Sequence, residues 1–145
     1  MIKPDFDEGS LFLRDDKGVV VRLAWEACGD AARDSVKGRT LPAGKYTLVG
    51  FRLFDRSRNG EVWFLSGTGT KLREIEIPAS GALTLGVSRT LSVKQRFDGE
   101  SAGMEIRGAH GAGASIYKNG ARIPIAYRVL DESGAELTKG SMKYG

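Results

Sequence analysis

A chain of 145 residues and 15.6 kDa suits one compact domain or two small lobes, and no more. Hydrophobic residues make up 41% and charged residues 28%, which excludes a disordered tail, and no apolar run approaches the ~18 residues of a membrane span. A single cysteine, Cys28, excludes an internal disulfide framework, and a single histidine, His110, excludes a His-rich metal site. The net charge is +4, and the excess lies in residues 31–60, where seven basic side chains stand against Asp34 and Asp55. Strands would divide these cations between two faces, and no aromatics interleave with them as a stacking platform requires. The pattern therefore argues against a nucleic-acid partner. The first five residues lack the basic and apolar regions of a leader, so cytoplasmic residence and a leader already removed both stay open.

In chain order the residues read as strands. Residues 10–14 and 19–25 flank a turn at Asp15-Asp16-Lys17-Gly18, where glycine supplies the positive φ. Residues 26–38 lack strand character, and Asp30 offers a cap for one helical turn. Residues 46–54 run into Asp55-Arg56-Ser57-Arg58-Asn59-Gly60, whose Asn-Gly pair is a strong hairpin signal, and residues 61–65 return. Gly67-Thr68-Gly69-Thr70 reads as a loop before a strand at 71–77, which Pro78 ends. Further strands are expected at 82–87, 90–97, 104–107 and 114–117, with a turn at Lys118-Asn119-Gly120. The last hairpin joins 125–130 to 135–138 through Asp131-Glu132-Ser133-Gly134.

Three hairpins thus share one form: an apolar strand, an Asp, a short polar link, a Gly and a return strand. Asp and Gly are what such turns select, so convergence is the preferred account of the likeness and an ancient duplication the alternative. Many short strands with no helical period of useful length predict an all-β, antiparallel sandwich of the immunoglobulin-like kind, with little or no helix. A barrel is the alternative. Residues 1–145 are read as one domain, with residues 86–89 admitting a junction between two lobes.

Candidate chemistry is sparse. His110 lies in a glycine-rich loop, but no Gly-x-Ser-x-Gly elbow accompanies it, so a hydrolase using His110 is a remote reading. Neither that loop nor Gly67-Thr68-Gly69-Thr70 leads into a helix, as a phosphate loop must. Cys28 with Asp30 and Asp34 has no zinc spacing and reads as a buried thiol. The acidic pairs Asp15-Asp16 and Asp131-Glu132 read as turn residues and not as calcium ligands. No cofactor and no metal is expected. Trp25 and Trp63 sit on strands, where core packing is their usual work and stacking on a sugar ring the alternative. Arg52 shares a strand face with Phe54, and Arg56 and Arg58 follow in the next loop. A ligand site is therefore sought at Arg52, Arg56, Arg58 and Trp63.

Leu41-Pro42-Ala43-Gly44-Lys45-Tyr46-Thr47-Leu48 resembles the Leu-Pro-x-Gly-x-Tyr-x-Leu signature of carboxypeptidase-regulatory-like, transthyretin-like sandwiches. The stretch Lys118-Asn119-Gly120-Ala121-Arg122-Ile123-Pro124, the run from Tyr127 to Gly134 and the closing Gly140-Ser141-Met142-Lys143-Tyr144-Gly145 resemble exported bacterial β-sandwich proteins. The resemblance covers the middle and end of the chain. It implies an extracytoplasmic sandwich in the periplasm or cell envelope and supplies no catalytic residues. The expected function is a non-enzymatic binding or structural module of the envelope, with a protein or a glycan as partner. The alternative is a carbohydrate-binding module that uses an exposed Trp.

Overall fold

The computed structural model describes residues 1–3, 8–25, 39–56, 59–99 and 101–142. The helical turn expected near Asp30, Cys28, Arg58 and the closing Tyr144-Gly145 lie outside the described residues. Twelve strands follow in order: β1 (Ile2–Lys3), β2 (Gly9–Asp15), β3 (Val20–Trp25), β4 (Gly44–Arg56), β5 (Val62–Ile77), β6 (Leu83–Thr84), β7 (Ser92–Asp98), β8 (Ser101–Arg107), β9 (Gly113–Lys118), β10 (Ala121–Arg122), β11 (Ala126–Leu130) and β12 (Glu136–Ser141). The fold is all-β, as expected, and its hairpin ladders are antiparallel. Among the described residues the helical structure is one three-residue 3-10 turn, Ala109–Gly111.

Eight strands form the main sheet in the order β3-β2-β4-β5-β9-β8-β7, with β10 beside β9. Its buried face carries Leu11 and Leu13 of β2, Leu23 and Trp25 of β3, and Leu48, Phe51 and Leu53 of β4. Inward positions on β4 change parity between Leu48 and Phe51. An extra residue there, Val49, shifts the register against β2, since Phe12 faces Gly50 while Leu13 faces Leu48. Such a bulge bends the strand and turns both halves of β4 toward one core. Among the described residues the opposing layer is slight. β1 pairs in parallel with β6, and the extended segment after β6 buries Leu85 and Val87 completely. With Ile2 these side chains close the sandwich. Residues 86–89 therefore run across the core, with Val87 inside it.

The glycine-rich stretch after Leu65 departs from its expected loop. β5 runs through Gly67-Thr68-Gly69-Thr70 without a break, so the strands expected at 61–65 and 71–77 are one strand of 16 residues. Only the register shows the irregularity, because Leu48 of β4 faces Arg73 while Gly50 faces Thr68. Glycine is needed here for close approach and not for a turn. A Cβ on Gly67 would lie 2.2 Å from the Phe51 ring, and one on Gly108 would lie 3.1 Å from it. The expected strand at 82–87 is also shortened, to Leu83–Thr84.

Two of the three Asp–Gly hairpins share one turn. Asp15 Oδ1 accepts the Lys17 and Val19 amides at 3.0 and 2.8 Å, and Asp131 Oδ1 accepts those of Ser133 and Ala135 at 2.8 and 2.9 Å. Gly18 and Gly134 take φ of +85° and +86°. This is a three-residue loop with glycine in the left-handed region. The Ser133 hydroxyl, and then the Ala135 amide, hold the Asp131 carboxyl below the usual aspartate range. Asn119 and Gly120 supply the two positive φ values, 48° and 83°, of the tight β9–β10 turn.

Gly67→Ala is expected to cost roughly 1–3 kcal/mol, the range for overpacking a filled core, because the Phe51 ring must leave its place. Gly103→Ala, whose added methyl meets nothing nearer than 3.8 Å, is expected to change stability by less than about 0.5 kcal/mol. Urea denaturation of both variants checks the contrast, and equal midpoints would show that Phe51 yields freely.

Candidate functional site

A groove of about 430 Å³ opens between the inner face of β4, β5 and β9 and the segment that leads into β7. Leu53, Leu65 and Ile116 line its apolar floor, and Trp63, Leu91 and the pair Asp55–Arg89 border it. The ladder brings these residues together. Asp55 of β4 faces Trp63 of β5, and Trp63 faces Lys118 of β9. Leu91 is 39% exposed, so the groove has an apolar rim open to solvent.

Arg89 is the strut of one wall. Its Nη1 donates to Asp55 Oδ2 at 3.0 Å and its Nη2 to the Phe54 carbonyl at 2.8 Å, which ties the segment after Val87 to β4. Trp63 is half-buried, whereas Trp25 is 4% exposed and belongs to the core. The indole is held on its polar edge and on its face. Nε1 donates to Glu61 Oε2 at 3.2 Å, and Lys118 Nζ stands 5.1 Å from the ring centroid while pairing with Glu61 Oε1 at 2.7 Å. That placement of an ammonium suits the ring quadrupole. Hydrogen bonds from Lys118, and then from Trp63, hold the Glu61 carboxyl below the ordinary glutamate range.

Two of the arginines expected beside Trp63, Arg52 and Arg56, lie elsewhere. Arg52 is on the opposite face of the sheet, with its guanidinium 5.8 Å from the Phe12 ring centroid. Phe54, Phe64 and Tyr117 form a cross-strand aromatic row on that face, and the Phe64 and Tyr117 rings stack with centroids 4.3 Å apart. Arg56 is engaged in a bidentate pair with Glu8, through Nε at 2.8 Å and Nη2 at 2.7 Å. The groove instead uses Arg89, Asp55 and Leu91, which no local pattern in the sequence marks.

His110 has a left-handed backbone, φ 55°, and its Nε2 lies 2.8 Å from the Leu85 carbonyl oxygen. A carbonyl only accepts, so Nε2 carries the proton of that bond. A second, polar hollow of about 450 Å³ lies between Arg14, Asp15, Tyr46 and Glu74. Two of its four carboxylates are engaged, Asp15 by its own turn and Glu74 by Lys71 at 2.9 Å. Among the described residues no group of three or more His, Cys, Asp and Glu stands ready for a metal, and no helix is long and apolar enough to cross a membrane. The chain matches no protein-family model, no curated protein and no solved structure.

The Glu61 anchor predicts an acid response. Because the folded value is depressed, the anchor is intact above the ordinary glutamate value of about 4.3 and is lost as pH falls through the lower folded value. Trp63 emission should hold constant down to that range and then shift, and Glu61→Gln should remove the transition. A transition that persists in Glu61→Gln would belong to another group.

Proposed function

We propose that this protein is a non-enzymatic binding module whose ligand occupies the groove beside Trp63. The observation that carries this reading is the groove itself: an apolar floor, an exposed apolar rim and an aromatic wall fixed in place by Glu61 and Lys118. Ligand sites are commonly concave and apolar with a few placed polar groups. The bordering charges are paired within the chain, Asp55 with Arg89 and Glu61 with Lys118. A charged ligand would have to break one of these pairs, so the preferred ligand is neutral.

A glycan is the second reading, favoured by the half-buried indole with hydrogen-bonding groups on either side of it. A pyranose offers an apolar face to such a ring and hydroxyls to its borders. We further read the chain as a transthyretin-like module acting in the bacterial envelope. What supports that is the Leu41-Pro42-Ala43-Gly44-Lys45-Tyr46 signature, in which the buried Tyr46 donates its hydroxyl to the Pro42 carbonyl at 3.3 Å and pins the entry to β4.

With Trp25 in the core, ligand-induced changes in tryptophan emission report on Trp63. Neutral oligosaccharides and short apolar peptides should perturb that emission, and Trp63→Ala, which removes the reporter and is read by titration calorimetry, should weaken binding at least tenfold, about 1.4 kcal/mol. If none of these ligands moves the emission, the groove is not a binding site of this kind.

A further inference from the structure

The β11–β12 hairpin is paired with itself alone, and β7 closes one end of the main sheet with its outer edge open among the described residues. A lone two-stranded hairpin is at best marginally stable in water. This one carries Val129, Leu130 and Leu137 at 43%, 44% and 66% exposure, while β7 carries Val93 at 56% and is preceded by Leu91 at 39%. Most of the exposed large apolar side chains of the described residues thus lie on these two elements or at the start of β3. The β3 edge is partly covered, since Arg39 Nε donates to the Ala24 carbonyl at 3.0 Å.

We propose that β12 adds as an antiparallel strand to the open β7 edge of a second copy of this chain. The sequence of the two strands favours this pairing. An antiparallel register that sets Val93 opposite Leu137 also sets Lys94 opposite Glu136, so an apolar pair forms on one face and an ion pair on the other. An antiparallel pairing of β7 with another β7 centred on Gln95 would set Lys94 opposite Arg96 of the other copy, and cations are a usual defence of an edge strand. β12 carries one acid and one base, Glu136 and Lys139, which pair at 3.3 Å, and in this register Glu136 meets Lys94 while Lys139 falls opposite Leu91. The ladder supplies backbone bonds to both edges, and the hairpin gains the third strand it lacks.

The test is sedimentation velocity of the full chain across a concentration series, with charge variants. Self-association should appear as concentration rises. Lys94→Glu and Glu136→Lys should each weaken it at least tenfold, and the double variant, which restores opposite charges, should recover most of the loss. Leu137→Lys should weaken it without changing the urea midpoint, because that side chain is 66% exposed. A chain that stays monomeric at every concentration would overturn the proposal, and so would an association that the charge reversals leave unchanged.

Discussion

The carbonyl of Leu85 accepts two side-chain hydrogen bonds, from Arg73 Nη1 at 2.7 Å and from His110 Nε2 at 2.8 Å. A carbonyl oxygen has two lone pairs, so both donors are accommodated at once. Arg73 comes from β5 and His110 from the turn between β8 and β9, so these bonds bind two parts of the sheet to a segment with no ladder of its own. Buried backbone must find partners somewhere, and here side chains supply them. The return is that Leu85 and Val87 are wholly buried, at roughly 1.5–3 kcal/mol each in transfer free energy. Among the described residues that segment and Ile2 are what cover the inner face of the main sheet.

The groove follows from the same constraint. Once Leu85 and Val87 are seated, the chain must leave the core beside β4, and Arg89 fastens it there to Asp55 and to the Phe54 carbonyl. The gap between this exit and the ladder of Asp55, Trp63 and Lys118 is the groove. Asp55 shows how context reassigns a residue. Asp15 and Asp131 close their own turns through Oδ1, whereas Asp55, at the matching place in the third hairpin, turns to Arg89. The likeness of the three hairpins is real in two of them as turn chemistry, and the third uses its Asp to build a wall.

Side-chain alternation explains why the arginines and Trp63 part company. Alternation along β4 puts Arg52 and Phe54 on one face and Leu53 and Asp55 on the other, and the pairing of Asp55 with Trp63 assigns the tryptophan to the second face. Arg52 and Arg56 are near Trp63 in sequence but sit across the thickness of the sheet from it. Their partners, the Phe12 ring and Glu8, come from β2 and the residue before it, and such partners are set by strand order.

Local physics made much of the fold legible. Alternation and turn chemistry marked the strands around Asp15–Gly18 and Asp131–Gly134, the Asn119-Gly120 turn and the end of β5 at Pro78, because each depends on residues within a few positions of one another. The Gly67-Thr68-Gly69-Thr70 stretch was misleading for the complementary reason. Glycine serves a turn and a close approach equally well, and the Phe51 ring that demands the close approach lies on another strand. The groove was legible only through Trp63. Its other members belong to four separate stretches of chain, and their meeting depends on the strand order and on where the Leu85–Val87 segment is held. The sequence by itself determined an all-β chain and its turns, through short-range conformational preference. The tertiary structure decided which glycines pack against a ring, which aspartate leaves its turn and which tryptophan stays open to solvent, because those outcomes rest on contacts between residues far apart in the chain.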